Sequence, residues 1–278
     1  MPKKNRIVEV IVRKDGIKNP LIKDIKRIFL PFNLALNLFL NSKYEIRNNN
    51  IYPNGPKYNI FASFFLILMN ALCVYRMFTF DVADNSSIEE DLTKAILGFL
   101  GTSFYFVTLI GFTITFISNT LHRENVVLLI LMIQTIYRSI DISKSINSYI
   151  IRNWICLVIV IISDFTERLM YHVTCHYHVL FEQAFDIITD IMPLVLDINI
   201  MLFNRILVLL RIYLEEWIKI VETTNDDDEE QWVRFYKIYT NILNAFNLNA
   251  KVFEWLVRLI PYLMQNSIIF LSEYLYMS

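Results

Sequence analysis

The chain has 278 residues, of which 55% are hydrophobic and 14% aromatic, and its mean hydropathy is +0.41. This composition lies well above ordinary globular usage and indicates a membrane protein. The formal net charge of −1 excludes a strong electrostatic attraction to nucleic acid. The three cysteines are too few and too scattered for a disulfide framework or a CxxC zinc site.

Residues 1–56 are interpreted as a cytoplasmic N-terminal arm. Up to Lys57 the chain has 12 lysines and arginines but only 4 acidic residues. The apolar residues of 28–40 recur at near-helical spacing, but this run is too short to cross a bilayer. It therefore predicts a helix lying against the membrane or its neighbours. Residues 48–56, NNNIYPNGP, predict a turn-rich break.

Five transmembrane helices are predicted within residues 57–278, at about 58–80, 95–121, 149–171, 181–214 and 252–276. The second is the clearest, because 95–121 contains no charged residue over 27 positions. A helix of that length rises roughly 40 Å, more than the ~30 Å hydrocarbon core. A buried helix of a large soluble core is the alternative, and it would need apolar cover on all sides. The glycines Gly98, Gly101 and Gly111 lie in this span, as expected where membrane helices pack closely.

Charge places the N-terminus of this all-α, polytopic helical membrane protein in the cytoplasm. The segments 1–57 and 122–152 together hold 16 lysines and arginines, whereas the loop 81–94 holds one. A short apolar helix at 126–136 is predicted as an inner extension of the bundle, and 215–251 as a cytoplasmic helical linker. The amphipathic part of that linker has five apolar residues at helical spacing: Trp232, Phe235, Ile238, Ile242 and Phe246. The outer loop carries the sequon of Asn85, a candidate glycosylation site.

Polar residues inside the predicted spans are the candidate functional residues. In the fourth span, Glu182, Asp186, Asp190 and Asp197 fall within an ~80° arc of one helix face. Acidic side chains inside the membrane must face water or pair with cationic groups. We therefore predict an outward-open small-molecule pocket between spans two to five. Its seven candidate ligand-binding residues are Tyr105, Asp164, Arg168, Asp186, Asp190, Gln265 and Asn266. The alternative is that these groups only pair with one another and hold the bundle together.

Motifs for catalysis and metal binding are weak or missing. His172, Cys175 and His176 share one helix face if the third span continues through them, which permits a metal contact. An interfacial loop rich in amphipathic side chains is the favoured interpretation, so neither a metal nor a cofactor is predicted. The sequence contains no phosphate loop, GxSxG, HExxH or dinucleotide fingerprint, and we do not predict an enzyme.

Three segments resemble insect gustatory receptors of the moth and butterfly type. The amphipathic arm, basic link and first span of those receptors are similar to residues 25–61, IKRIFLPFNLALNLFLNSKYEIRNNNIYPNGPKYNIF. Their long fourth helix is similar to residues 196–217, LDINIMLFNRILVLLRIYLEEW. The segment leading to their fifth helix is similar to residues 235–257, FYKIYTNILNAFNLNAKVFEWLV.

The resemblance implies seven transmembrane helices with a cytoplasmic N-terminus. It also implies a homo- or hetero-tetrameric, ligand-gated, non-selective cation channel in the plasma membrane of sensory neurons, with an outward-facing pocket for small tastants. The seventh helix of such receptors lines the pore and carries a Thr-Tyr-x5-Gln-Phe signature, which this sequence lacks. We therefore expect a partial sequence with five of the seven helices, which could not conduct as written.

The chemical class of the tastant and the wider class of protein stay open at this point. The acidic stripe favours cationic, bitter compounds, although sugar-sensing relatives also use carboxylates. A polytopic transporter is one alternative, suggested by the acidic residues inside the membrane. An odorant-receptor member of the same superfamily is the other.

Overall fold

The computed structural model describes residues 20–79, 88–174, 191–224, 229–255 and 258. This part of the chain is mostly helical, in agreement with an all-α membrane protein. Its elements, in order, are α1 (Lys23–Leu38), β1 (Glu45–Arg47), β2 (Asn50–Tyr52), α2 (Pro56–Thr79), α3 (Ile88–Leu121), α4 (Arg123–Ser139), α5 (Ser143–Thr174), α6 (Ile191–Glu222) and α7 (Glu229–Val252).

Three of the described helices are long and apolar enough to cross a membrane: Pro56–Tyr75 in α2, Ser143–Thr166 in α5 and Met192–Glu222 in α6. A fourth candidate is formed by Tyr105–Leu121 and Arg123–Ser139 together, which meet at a bend of 69°. Half of the most apolar window of α6 is buried by neighbouring helices, against 17% for α2. Helix α6 is therefore central and α2 peripheral. The predicted fifth span lies almost wholly outside the described residues.

Helix α4 is the predicted short helix that follows the second span. It begins directly after His122, and its buried face consists mainly of aliphatic residues, among them Val126, Ile130 and Ile133. It turns away from the direction of α3 and packs against α7. The predicted inner extension at 126–136 is confirmed as a helix.

Helix α7 returns along α6. The indole Nε1 of Trp217 donates to the carbonyl oxygen of Phe235 at 3.1 Å. The indole also lies against the ring of Tyr239, with the two ring centroids 5.2 Å apart. The buried face of α7 consists of Phe235, Ile238, Ile242, Ala245, Asn249 and Val252. Trp232 and Phe246, the two ends of the predicted apolar stripe, are exposed. The small Ala245 and the amide Asn249 continue the buried face instead.

The N-terminal arm belongs to the same hydrophobic core as the membrane helices. Helix α1 buries Ile25, Ile28, Phe29, Phe32 and Leu36, among others, and packs on α5 and α6. Helix α1 therefore lies against its neighbours, one of the two arrangements that the sequence predicts for residues 28–40.

A β-hairpin occupies part of the predicted turn-rich break and was not foreseen. Strands β1 and β2 pair antiparallel with Arg47 opposite Asn50, which leaves Asn48 and Asn49 as a two-residue turn. Both turn residues have positive φ, 51° and 62°. This is the type I′ geometry that asparagine tolerates better than most residues. The hairpin docks on the start of α1 through the Leu21 amide, which donates to the Asn49 carbonyl oxygen at 2.7 Å.

Candidate functional site

The predicted outward pocket lies mostly outside the described residues. Tyr105 is buried in α3, and its carbonyl oxygen accepts a hydrogen bond from Sγ of Cys73 in α2 at 3.4 Å. Asp164 is half-buried in α5. Arg168 lies on the same helix, but its side chain is not part of what the structure describes. The other candidates are also outside it: Asp186, Asp190, Gln265, Asn266 and the sequon residue Asn85. The pocket therefore stays a prediction.

Asp197 is the described member of the acidic stripe. It is exposed on α6, while its neighbours Val195 and Ile198 are fully buried. The stripe position at 197 thus lies on the face of α6 that the other described helices leave uncovered. The predicted metal candidates His172, Cys175 and His176 fall outside the description, and no cluster of three metal-binding side chains occurs within it.

The described residues contain a different polar site, centred on Lys43. This side chain is 1% exposed and lies between α1 and β1. Its ammonium donates to Oδ1 of Asn119 near the end of α3 and lies 4.6 Å from the ring centroid of Phe253. Within the described part of the chain no carboxylate pairs with it. Burial lowers the pKa of Lys43 from 10.5 to about 7.

The end of α1 directs Lys43 into the bundle. The Leu40 amide donates to the Asn37 carbonyl oxygen at 3.1 Å, and the Asn41 amide donates to that of Leu36 at 2.8 Å. This is a Schellman motif with Leu40 in the left-handed conformation, at φ 52°. A leucine there costs about 1–2 kcal/mol relative to its ordinary backbone conformations. The surrounding hydrogen bonds must offset that cost.

Amide and hydroxyl groups fix the segment that carries Lys43. Nδ2 of Asn119 donates to both oxygens of Asn41, the carbonyl oxygen at 3.2 Å. The amide of Ser42 donates to the hydroxyl oxygen of Tyr58 at 2.8 Å, and the Ser42 carbonyl oxygen accepts from Nδ2 of Asn54 at 2.6 Å. Segment 41–43 is thereby bonded to α2, to α3 and to the loop before α2.

A second buried polar cluster joins α1, α5 and α6 around Arg205. Its Nε donates to Oδ1 of Asn153 at 2.6 Å, and its guanidinium lies 4.4 Å from the ring centroid of Tyr149. Nδ2 of Asn153 in turn donates to the carbonyl oxygen of Ile28 at 3.1 Å. The buried Nη2 of Arg205 has no hydrogen-bond partner among the described residues. The cluster is therefore cationic and incompletely satisfied.

The sequence gives little signal for Lys43. It occurs in the basic N-terminal arm, where lysines are ordinarily solvated. Its partners Asn119 and Phe253 are 76 and 210 residues further along the chain, so no local spacing connects them.

Comparison of the chain with protein-family models, with curated proteins and with solved structures finds no match.

Proposed function

We propose that the protein is a gustatory chemoreceptor, a subunit of a ligand-gated, non-selective cation channel that detects small tastants. The observation that carries the proposal is the pairing of α6 with α7. Of the three segments that resemble insect gustatory receptors, α6 contains 196–217 and α7 contains most of 235–257. With 32 residues, α6 is roughly 48 Å long and extends well beyond a ~30 Å hydrocarbon core. Such a helix suits a receptor that couples an outer pocket to its inner end.

We further propose five spans in this chain, with the N-terminal arm in the cytoplasm, in the plasma membrane of sensory neurons. The positive charge of residues 1–57 and 122–152 supports this orientation. Exposed apolar side chains on α2 and α5, such as Phe64 and Ile159, suit contact with lipid or with neighbouring subunits of a tetramer. A tetramer of identical or different subunits would complete the channel.

The tastant pocket is proposed on the outer side, between spans two to five. Carboxylates of the acidic stripe would attract a cationic, bitter compound, and aromatic walls would bury its rings. The proposed lining comprises Tyr105, Asp164, Arg168, Asp186, Asp190, Gln265 and Asn266.

Recording from cells that express the protein from its full-length transcript tests this proposal. Alkaloids and sugars applied outside should evoke concentration-dependent cation currents for at least one class. The Asp190→Asn variant should weaken a response to cationic tastants, whereas Glu222→Gln, at the exposed inner end of α6, should not. Silence across both classes, with the protein present at the cell surface, contradicts the proposal. Substrate uptake coupled to protons or sodium, without currents, would indicate a transporter instead.

A further inference from the structure

The buried side chain of Lys43 joins three distant parts of the chain. It belongs to segment 41–43 after α1, it donates to Oδ1 of Asn119 near the end of α3, and it lies 4.6 Å from the ring centroid of Phe253, just beyond α7. An ammonium group has three N–H donors, but Asn119 is its one hydrogen-bond acceptor in the described part of the chain. The contact therefore suits a neutral amine better than a charged ammonium.

The described charges around Lys43 do not compensate a buried ammonium. Lys43, Lys251 and Glu254 all lie within electrostatic range of His122. Glu254, the acid among them, already pairs with Arg258 at 2.5 Å. The titratable and charged side chains on the surrounding elements are Tyr44, Tyr58, His122, Arg123, Lys251 and Glu254. Protonation of Lys43 therefore adds a buried charge that these neighbours leave unpaired.

Segment 41–43 is a part of the fold that can open locally. Leu40, directly before it, has a positive φ of 52°, and the buried Nδ2 of Asn41 has no acceptor among the described residues. The elements on either side are anchored independently. Nδ2 of Asn153 donates to the Ile28 carbonyl oxygen in α1, and the hairpin is bonded to the residues just before α1. The segment can therefore leave α2 and α3 while α1 and the hairpin keep their places.

We propose that Lys43 is a proton-dependent latch, which closes segment 41–43 on the ends of α3 and α7 when its amine is neutral and loosens when it is protonated. In the open form the ammonium is solvated and has its ordinary pKa of 10.5, whereas burial lowers the pKa to about 7 in the closed form. The open form therefore binds more protons between these two values, and closing becomes more favourable as the pH rises. Below about pH 7 both forms are protonated, and the closed form bears the whole cost of the buried charge. With the N-terminal arm in the cytoplasm, as proposed above, the latch responds to cytoplasmic pH.

Hydrogen–deuterium exchange of the purified full chain in detergent measures the opening of the latch. The reporter is the backbone amide of Ser42, which donates to the hydroxyl oxygen of Tyr58 and is freed when segment 41–43 opens. Labelling between about pH 7 and pH 9, corrected for the intrinsic exchange rate, avoids the ordinary titrations of imidazole, carboxyl, phenol and exposed ammonium groups. The two pKa values of Lys43 predict that the opening constant falls roughly 50-fold over this interval.

Lys43→Gln separates the titration from the hydrogen bond, because glutamine can still donate to Oδ1 of Asn119 but does not titrate. Its opening constant should be independent of pH. Lys23→Gln is the matched control, since Lys23 is exposed on α1, and it should follow the wild type. A wild-type change of less than about threefold, or an equal change in Lys43→Gln, would overturn the proposal.

Two further measurements keep the test decisive. The opening constant at Ser42 should exceed that of amides in the middle of α6 at every pH; equal constants would show that the segment opens only with the whole fold, which would overturn a latch. If Lys43→Gln does not fold, NMR of the lysine Cε groups in the wild type should show a resonance that titrates near about pH 7, and its absence would overturn the proposal. These outcomes need no ligand and no current, so they do not depend on whether the protein is a receptor channel.

Discussion

Replacement of Lys43 by methionine should remove a pH dependence from the stability of the protein. Burial lowers the pKa of Lys43 to about 7, from 10.5 in an exposed lysine. The charged form is therefore disfavoured in the folded state by roughly 5 kcal/mol. Between about pH 7 and 10.5 the unfolded chain holds the proton that the folded chain has lost, so the free energy of unfolding rises with pH there. Below pH 7 both states are protonated and the whole cost is present.

The expected size follows from these two pKa values. Between pH 6 and pH 9 the wild type should gain roughly 2–3 kcal/mol from Lys43, on the order of 5 °C in the unfolding temperature. Lys43→Met leaves Oδ1 of Asn119 without its donor, but this cost does not vary with pH. The difference between wild type and variant therefore isolates the titration of Lys43 from that of all other groups.

Tryptophan fluorescence during thermal unfolding in detergent measures this difference, since the chain has four tryptophans. Lys23→Met is the control, because Lys23 is exposed at the start of α1. The control should follow the wild type at every pH, and Lys43→Met should show a smaller rise. Parallel curves for wild type and Lys43→Met would refute the assignment of a buried, titrating ammonium.

Three further pairs of substitutions test the fold by the same unfolding assay. Arg205→Met should lower the free energy of unfolding by roughly 2 kcal/mol, because the hydrogen bond to Asn153 is lost. Arg211→Met should lower it by less than roughly 0.5 kcal/mol, because the Arg211 side chain is 78% exposed, and equal losses would contradict the buried cluster around Arg205. Gly111→Ala should be tolerated, since the added Cβ would lie 3.4 Å from the Leu196 side chain, whereas the larger side chain of Gly111→Ile should lower the unfolding temperature. A tolerated isoleucine would argue against the close packing of α3 on α6 at Gly111. Asn49→Val should destabilise the hairpin by about 1–2 kcal/mol and Asn49→Gly should not, because φ is positive there; equal stability of the two variants would exclude this turn.

The helices could be predicted from the sequence because hydropathy and spacing are local properties. The first predicted span, 58–80, corresponds to α2 at Pro56–Thr79, and α3 ends at Leu121, where the second predicted span also ends. Helix α3 begins earlier than the span, at Ile88, because charged helix-forming residues extend a helix beyond the membrane without adding hydropathy. Glu254 pairs with Arg258 at 2.5 Å, as the spacing of four residues on one helix favours.

The polar site around Lys43 could not be predicted, because it depends on contacts between distant parts of the chain. Burial of Lys43 requires the turn after α1, the end of α3 and Phe253 to meet in space. The same limit applies to the buried face of α7, where Ala245 is buried and the larger Phe246 is exposed. Apolar spacing identifies an amphipathic helix, but the neighbouring helices decide which side of it is covered.

Orientation in the membrane is the central claim, because the proposed outer pocket depends on it. Antibody staining of two epitope-tagged proteins tests it, with one tag at the N-terminus and one in the loop 81–94. In intact cells we expect staining of the loop tag alone, with the N-terminal tag stained only after permeabilisation. Staining of the N-terminal tag in intact cells would contradict a cytoplasmic N-terminus.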